Sequence, residues 1–327
     1  MKIKTQIWIV AIGFALMLAK AIAWLLTDSV GVLTDAMESI VNVSAGLLSL
    51  YALWMAAKPQ DKQHPFGHGK AELISASAEG IMIFGAGALI IYEGIMRLLS
   101  PEMPQKLDIG IVIIAAAGVV NYIMGWWSIR MGRRTNSVAM IAGGKHLKSD
   151  TYSTIGLVLG LVLLYVTKLP WIDSALAFVF GAIIMVTGVN ILRGTIGGLM
   201  DEVDTELLGK MVTVLNENRA PEWIDIHDTK IIKGGNHLFV DCDLTMPWYY
   251  NLRQGHKSIE QFMALMEKHF EQGLSINVHT DACDADHCAG CSLHDCPVRS
   301  HPFEALEELN MSNISQLDTE HHPNGFS

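Results

Sequence analysis

Six apolar stretches, separated by short polar breaks, fill the first two hundred residues of the chain. Each is long enough for a membrane-spanning helix, which needs about 20 mostly apolar residues. Charged residues or prolines end one stretch before the next begins. The pattern predicts six transmembrane helices, at about residues 6–27, 30–56, 73–98, 108–130, 137–167 and 172–193.

Beyond Gly197 and Gly198 the pattern changes to that of a soluble domain. Helical periodicity covers residues 204–218 and 252–271, and strand-like runs cover 224–232, 237–246 and 274–279. In the second of these runs Leu238, Val240, Cys242 and Leu244 share one face, and Phe239, Asp241 and Asp243 share the other. The order αββαβ predicts a small two-layer, ferredoxin-like α+β domain.

Composition supports a membrane part joined to a soluble part. The chain is 50% hydrophobic and 17% charged, with mean hydropathy +0.31, which is too apolar for one soluble domain. The net charge is −10, and residues 280–327 contain nine acidic residues and one basic residue. Because that end is acidic and poor in large apolar residues, we predict disorder from about residue 300. The expected division is 1–199 transmembrane, 200–282 soluble and 283–327 a Cys-rich, then acidic, disordered tail.

The positive charges near the membrane predict an orientation. Lysine and arginine are concentrated in the second and fourth connections between spans and after the sixth span. Short cytoplasmic loops carry an excess of these residues. Both termini are therefore predicted to be cytoplasmic. Lys20, within the first span, is interpreted as a side chain that snorkels to the membrane interface.

Two predicted spans carry polar residues at helical spacing. In the fifth, His146 and Asp150 are four residues apart and project from one helix face. In the second, Glu38 and Asn42 repeat that spacing, and Asp35 lies nearby. Two such helices side by side would offer one nitrogen and three oxygen ligands to a divalent metal. The alternatives are residues wetted by lipid headgroups and polar pairs that join helices by hydrogen bonds.

The connection after the second span holds a second candidate site. Asp61, His64 and His68 lie within eight residues of one another, with glycines that let the backbone fold around an ion. A carboxylate and two imidazoles are suitable ligands for a divalent metal. Loops also often carry solvated histidines, so the spacing alone leaves both interpretations open.

Four of the five cysteines form a third candidate site near the C-terminus. Cys283, Cys288, Cys291 and Cys296 lie within fourteen residues, and their spacing differs from that of a zinc ribbon. On a cytosolic segment such a group is more typical of metal or redox chemistry than of disulfides. Zinc, an iron–sulfur cluster and free reduced thiols remain open.

Taken together, these motifs resemble the cation diffusion facilitators, a family of homodimeric exporters of divalent metals driven by proton uptake. The resemblance rests on the Asp-x-x-His-x-Phe-Gly-His-Gly-Lys-x-Glu run from Asp61 to Glu72, on Thr-Asp-Ala-x-x-Ser in the second span and on His-x-x-x-Asp in the fifth. It covers about residues 6–282. It implies a transport site at Glu38, Asn42, His146 and Asp150 and a loop site at Asp61, His64 and His68. Asp35 is a further candidate for the transport site from its helical spacing alone.

The chain departs from the family pattern at two of these positions. Zinc-type members usually have His or Asp in place of Glu38, and Asp in place of Asn42. A neutral amide lowers the charge of the site, and an oxygen-rich ligand set selects zinc less strongly against other metals. We expect Zn²⁺ first as the transported ion, with Fe²⁺, Co²⁺ and Mn²⁺ as alternatives and protons as the coupling ion.

For the soluble domain the resemblance implies dimerisation and binding of regulatory metal. The matching positions are His227, Asp243, His256, His279 and Asp281. Judged by sequence alone, these are scattered polar residues, and any one of them could simply lie on the surface.

The resulting functional prediction is a proton-coupled exporter of divalent metal, rather than an enzyme. We expect a homodimer in the lipid of a bacterial inner membrane, with neither nucleic acid nor an organic cofactor as partner. One rival is an intramembrane metalloenzyme, although the sequence has no His-Glu-x-x-His motif. The other rival is a metal-sensing membrane receptor.

Overall fold

The computed structural model describes residues 2–100, 103–134, 138–235, 237–270 and 273–316. Within these ranges the side chains of residues 2–10, 132, 134, 138–143 and 146 are not described. The chain divides into two compact units. The first contains the residues up to Ala52 and Ile74–Ile196, and the second contains Leu53–Leu73 and the described residues from Gly197 onward.

The first unit is built from six long helices, as predicted. They are α1 Lys2–Thr27, α2 Val30–Ala56, α3 Ala71–Leu99, α4 Leu107–Arg134, α5 Val138–Thr167 and α6 Trp171–Leu199. Five of them, α2 to α6, contain a described stretch long and apolar enough to cross a membrane. In α1 the described side chains form a shorter apolar helix, Ala11–Thr27. The chain is therefore an integral membrane protein.

The helices of this unit pack closely through small residues. A Cβ atom built on Gly87 of α3 would lie 2.9 Å from the carbonyl oxygen of Gly181 on α6. A Cβ built on Gly188 of α6 would lie 2.7 Å from the backbone nitrogen of Phe84 on α3. Real Cβ atoms do not approach so closely, so glycine is required at both positions. Small residues that let helix backbones approach are typical of membrane helix pairs.

A buried carboxylate of α6 holds the start of α2. Asp173 is fully buried and accepts hydrogen bonds from Ser29 Oγ at 2.6 Å, the Val30 amide at 2.8 Å and the Gly31 amide at 3.1 Å. The first amides of a helix lack partners within the helix, and their dipoles favour a negative charge. Asp173 therefore caps a helix that begins 143 residues earlier in the sequence.

The second unit contains the predicted αββαβ domain. Its elements are α7 Thr205–Asn218, β1 Asp225–Gly234, β2 His237–Met246, α8 Leu252–His269 and β3 Gly273–Ala282. The sheet order is β1-β2-β3, with β1 antiparallel and β3 parallel to the central β2. The parallel pair requires a crossover, which α8 supplies.

The hydrophobic core lies between this sheet and its helices. The predicted inner face of β2 is confirmed, since Leu238 and Val240 are 1% and 7% exposed and Cys242 and Leu244 are fully buried. Phe262 of α8 is also fully buried, with its ring edge-on to Trp223 at 5.3 Å. The other face of the sheet is therefore free to carry polar groups.

Residues 53–73, which contain the connection between the second and third predicted spans, belong to this second unit. The Phe66 ring packs edge-on against the Phe239 ring of β2, with centroids 5.2 Å apart. A Cβ on Gly69 would lie 2.1 Å from the carbonyl carbon of Gly234, so only glycine allows this approach to the β1–β2 turn. Lys70 Nζ lies 2.9 Å from Asp201 Oδ1. The loop is thus fixed against the soluble domain at several points.

The prediction of disorder from residue 300 is wrong for residues 300–316. Leu309 and Ile314 are 3% and 0% exposed and join the core of the soluble domain. Asn216 of α7 exchanges two hydrogen bonds with the backbone of Leu309, and the Asp228 amide donates to the Gln316 carbonyl. Average composition hides such anchors, because two apolar side chains and a few backbone contacts fix a segment that is otherwise acidic. Residues 317–327 lie outside the described part.

The N-cap of α7 gives a first prediction. Asp204 accepts a hydrogen bond from the Leu207 amide at 2.9 Å and pairs with Lys233. Both contacts lower the pKa of Asp204 below its usual value, and the pairing with Lys233 has the larger effect. Changing Asp204 to Ala should weaken α7 by about 1 kcal/mol at neutral pH. Hydrogen exchange of the α7 amides in the full-length protein measures this as faster exchange.

The effect should depend on pH in a defined direction. A carboxylate with a lowered folded-state pKa stabilises the fold above its unfolded pKa, about 3.9, and loses that contribution as pH falls through the folded value. The difference between wild type and the alanine variant should therefore shrink in acid. Asp204→Asn keeps a capping oxygen and should show a smaller defect. A defect of the same size at pH 7 and pH 2.5 would contradict the assignment.

Candidate metal centres

The first candidate centre lies inside the helix bundle, between α2 and α5. Asn42 Nδ2 of α2 donates to Asp150 Oδ2 of α5 at 3.3 Å. Thr154 Oγ1, one turn beyond Asp150, lies 3.4 Å from Asp35 Oδ1 of α2. The two polar helix faces identified in the sequence therefore meet, as a shared site requires.

His146 also belongs to α5, four residues before Asp150. This spacing places its Cα one helical turn from that of Asp150 and on the same face. The His146 side chain lies outside the described side chains. Its role as a ligand therefore stays a prediction.

Lys20 is part of this cluster, and its interpretation as a snorkelling side chain is wrong. Its side chain is 4% exposed, and Nζ lies 2.9 Å from Asp35 Oδ1. A lysine that reaches the interface keeps its ammonium in water, whereas this one is buried against a carboxylate. Such a pairing offsets the cost of keeping both charges out of water.

The described side chains of the cluster include three carboxyl groups and one ammonium group. Glu38, one turn along α2 from Asp35, lies within electrostatic range of Asp35, Asp150 and Lys20. When these groups are ionised, three carboxylates face one ammonium, and two negative charges remain. Among the described residues, the buried Oδ2 atom of Asp35 has no hydrogen-bond partner. A divalent cation bound by the neighbouring ligands would neutralise this excess.

The second candidate centre is the loop triad Asp61, His64 and His68. One ligand atom from each lies within 4.8 Å of the others. Asp61 Oδ1 is 3.2 Å from His64 Nδ1, and Asp61 Oδ2 is 3.5 Å from His68 Nε2. The imidazole centroids are 4.3 Å apart. The three side chains predicted from the sequence therefore converge on one point.

Local backbone structure shapes this triad. The amides of His64 and Gln63 donate to Asp61 Oδ1 at 2.7 and 2.8 Å, and the His64 amide is the largest cause that lowers the pKa of Asp61. Gly67 has φ of 81°, a left-handed conformation that glycine adopts without strain. Asp61 is therefore held as a carboxylate anion next to two imidazoles.

The third candidate centre lies on the polar face of the sheet. His227, Asp243 and Asp281 place one ligand atom each within 4.8 Å of one another. His227 and Asp243 are register partners on β1 and β2, and Asp243 pairs with His279 on β3. His279 Nε2 lies 3.4 Å from Asp281 Oδ1. Four of the five residues predicted for the soluble domain thus occupy one patch of three adjacent strands.

Asp225 is a member of this patch that the sequence reasoning missed. Its Oδ2 lies 2.9 Å from His227 Nδ1, while His227 Nε2 points towards Asp281 Oδ2 at 3.6 Å. The hydrogen bond to Asp225 is the main cause that raises the pKa of His227. A carboxylate on one imidazole nitrogen commonly orients the other nitrogen towards a metal. The sequence signal was the i, i+2 spacing on one strand, which puts Asp225 on the same face as His227.

The charge of the patch also favours a cation. Burial, followed by the neighbouring Asp281 carboxylate, raises the pKa of Asp243. A positive ion placed beside Asp243 would favour its ionised form.

The fifth residue predicted for this domain, His256, comes from a helix rather than from the sheet, and its role as a ligand stays a prediction. It lies on α8 with a side chain 70% exposed, and its Nε2 is 3.6 Å from Glu260 Oε1. The spacing is the i, i+4 pair of a solvent-exposed helix face. In the described chain, its placement is that of a surface residue.

The four clustered cysteines also come together. Cys283, Cys288, Cys291 and Cys296 line one cavity at the end of β3, and all four are free thiols. The fifth, Cys242, is buried in the core of the sheet.

Comparison with known proteins agrees with this arrangement. A family model described as the cation efflux transmembrane domain matches residues 7–200. A second model, described as the cytoplasmic domain of cation efflux proteins, matches residues 203–283. The cysteine-rich segment after residue 283 extends beyond both matches.

Similar proteins share most of their length with this chain. An uncharacterized transporter of Synechocystis sp. is 34% identical over 254 residues, which are 77% of this chain and 82% of the relative. The cation-efflux pump FieF of Shewanella oneidensis is 27% identical over 273 residues, 83% of this chain and 91% of the pump. FieF of Cronobacter sakazakii is 28% identical over 270 residues, with coverages of 82% and 88%.

Proposed function

The chain belongs to the cation diffusion facilitator family of metal-cation efflux transporters, and from this premise we propose that it exports divalent metal ions from the cytosol in exchange for protons. The proposal rests on the cluster between α2 and α5. Asn42 and Asp150 are in contact there, and carboxylates outnumber the ammonium group. Carboxylate, amide and imidazole groups at helical spacing inside a membrane are expensive to bury and serve ion pathways.

The proposed mechanism is alternating access at this cluster. Glu38, Asn42, His146 and Asp150 take a metal ion from the cytosol while His146 is neutral and the carboxylates are ionised. The helices then rock so that the site opens to the other side of the membrane. Protonation there removes the lone pairs that hold the metal, because metal and proton compete for the same atoms.

In this mechanism Lys20 keeps Asp35 apart from the transported ion. Asp35 Oδ1 is occupied by the Lys20 ammonium and by Thr154 Oγ1. The ammonium also reduces the negative charge around the ion. With its carboxyl groups ionised, the described cluster is therefore close to neutral when a divalent ion is bound. We therefore propose Asp35 as an electrostatic partner of the site rather than one of its principal ligands.

We propose Zn²⁺ as the main substrate, with Fe²⁺, Co²⁺ and Mn²⁺ as competing ions, because Asn42 and Glu38 make the site rich in oxygen. The loop triad and the sheet patch are proposed to bind further ions of the same kind. We also propose a homodimer in a bacterial inner membrane, with both termini in the cytosol. The support for the dimer is the match of residues 203–283 to the cytoplasmic domain of cation efflux proteins.

Metal flux in sealed proteoliposomes tests the function. The purified protein should move Zn²⁺ into the lumen faster when the lumen is acidic, and the lumen should become more alkaline as protons leave in exchange. Empty liposomes provide the baseline. A metalloenzyme or a receptor would bind metal without net flux. If the rate of zinc flux does not depend on the proton gradient, proton coupling is refuted but metal efflux is still supported.

Substitution of Asn42 provides a prediction about metal choice. Asn42→Asp adds a carboxylate next to Asp150, which should strengthen binding of zinc and also give protons another group to occupy. We expect the zinc-to-manganese flux ratio to rise, because zinc gains more than manganese from a stronger ligand in the Irving–Williams order. The pH dependence should shift as well.

Asn42→Ala is the matched control, because it removes the amide without adding charge. It should slow all metals without favouring zinc. If Asn42→Asp leaves both the metal series and the pH profile unchanged, Asn42 does not contact the transported ion.

A further inference from the structure

The segment that follows β3 folds into a loop with four thiols around one space. The Cys283 amide still pairs with the Met246 carbonyl at 2.9 Å, so this cysteine is fixed by the sheet. A 3₁₀ turn, Asp286–Cys288, then brings the chain back. Cys291 is 6% exposed, and the other three cysteines are partly exposed.

A small cavity separates these cysteines. Its volume is about 20 Å³, and its walls include all four cysteines together with His287 and Arg299. A space of this size admits a single water-sized body. It would also fit one metal ion. An iron–sulfur cluster places several irons and sulfides between its cysteines and would need a larger space.

The cavity wall is held from behind by one guanidinium group. Arg299 donates to the carbonyls of Cys288 at 2.7 Å, Cys291 at 2.9 Å and Leu293 at 2.8 Å. These three bonds fix the backbone that carries two of the thiols. They also place a positive charge in the wall of the same cavity.

We propose that Cys283, Cys288, Cys291 and Cys296 bind one zinc ion as four thiolates. Each thiol loses its proton to solvent as a Zn–S bond forms, so binding involves no oxidation or reduction. Zinc with four thiolates carries two net negative charges, which Arg299 partly offsets. Four-coordinate thiolate sites of this kind are typically structural.

The site explains how the extension beyond the soluble domain keeps its fold. Residues 283–316 contain only a three-residue 3₁₀ turn and the four-residue helix α9, Met311–Ile314. Their far end is anchored by Leu309 and Ile314 in the core, and their near end by the sheet at Cys283. Between these anchors few apolar side chains are buried, so a metal would supply the missing constraint.

The zinc site would also stiffen the neighbouring polar patch. Cys283 comes two residues after Asp281, so both lie on the same face of the chain as it leaves β3. A metal that fixes Cys283 fixes the end of the strand that carries Asp281.

Sulfur ligation distinguishes this site from the other candidate centres, which contain only nitrogen and oxygen ligands. The full-length protein, purified under reducing conditions and loaded with zinc, should show Zn–S distances of about 2.3 Å by X-ray absorption. Cobalt loading should give the charge-transfer absorption of thiolate ligands. Both signals should disappear in the Cys288→Ser/Cys291→Ser double variant and persist in Ser292→Ala, a control in the same loop.

Several results would overturn the proposal. These are zinc bound only by nitrogen and oxygen, sulfur signals that survive in the double variant, iron with acid-labile sulfide in the purified protein, and disulfides that resist mild reduction. Chelation of zinc should also increase protease cleavage within residues 284–308 at least tenfold. Equal cleavage with and without zinc would show that the metal does not hold the extension.

Discussion

Changing Asp150 to Ala is expected to abolish metal transport and leave the protein folded. Asp150 lies on α5 in contact with Asn42 of α2, and it supplies part of the charge that a divalent ion would neutralise. Even residues that only support a metal ligand typically change affinity or activity by 10- to 100-fold. A direct ligand should therefore cost at least about 100-fold in the initial rate of zinc flux into proteoliposomes.

The control for this variant is Asp108→Ala, which removes an exposed carboxylate in the first turn of α4. It should transport at close to the wild-type rate. Size-exclusion chromatography of both variants should match wild type, because α4 and α5 pack closely through Gly125 and Gly144, which both variants keep. If Asp150→Ala transports zinc at the wild-type rate, Asp150 is not a ligand of the transported ion and the proposed site is wrong.

Changing Asp173 to Ala should destabilise the bundle more than any other single change that we propose. The substitution leaves one hydroxyl and two backbone amides without their buried acceptor. It also removes the negative charge at the start of α2. The expected loss is about 3–5 kcal/mol in the free energy of unfolding, from unsatisfied donors and the helix dipole together. Thermal unfolding of the purified protein in detergent measures it.

Ser174→Ala is a close control for this change. Ser174 is the next residue and is 1% exposed, and in the described part of the structure its hydroxyl has no hydrogen-bond partner. Removal of such a hydroxyl should be nearly neutral. Similar losses in the two variants would mean that burial at this point, rather than the cap, accounts for the effect.

The sequence predicted the helices and the sheet accurately because both signals are local. Apolar runs of membrane length and the alternation along β2 need no knowledge of distant residues. Each predicted span corresponds to one helix, and the αββαβ order is as observed. The helical ends differ by a few residues, for example Ala71–Leu99 against the predicted 73–98.

The errors concern contacts between distant parts of the chain. Lys20 is paired with Asp35, fifteen residues away on another helix, and hydropathy gives no sign of that partner. Leu309 and Ile314 enter the core although their neighbours are acidic. In each case tertiary packing decided the outcome.

The candidate centres also differ in how far their contacts are local in the sequence. The loop triad could be predicted as a unit, because its three residues are close in sequence. The i, i+4 pairs of α2 and α5 predicted two polar faces, but their contact, Asn42 to Asp150, depends on how the helices pack. The contact between Asp225 and His227 could be predicted only if the start of strand β1 was known.

The grouping of residues 53–73 with the soluble part means that the chain passes between the two units at three points, after Ala52, Leu73 and Ile196. A fragment that starts near residue 200 would therefore lack a piece of its own unit. It would leave Phe239 without the ring of Phe66 and the β1–β2 turn without Gly69. Such a fragment would expose apolar surface and tend to self-associate, so its oligomeric state would be a poor guide to that of the intact transporter.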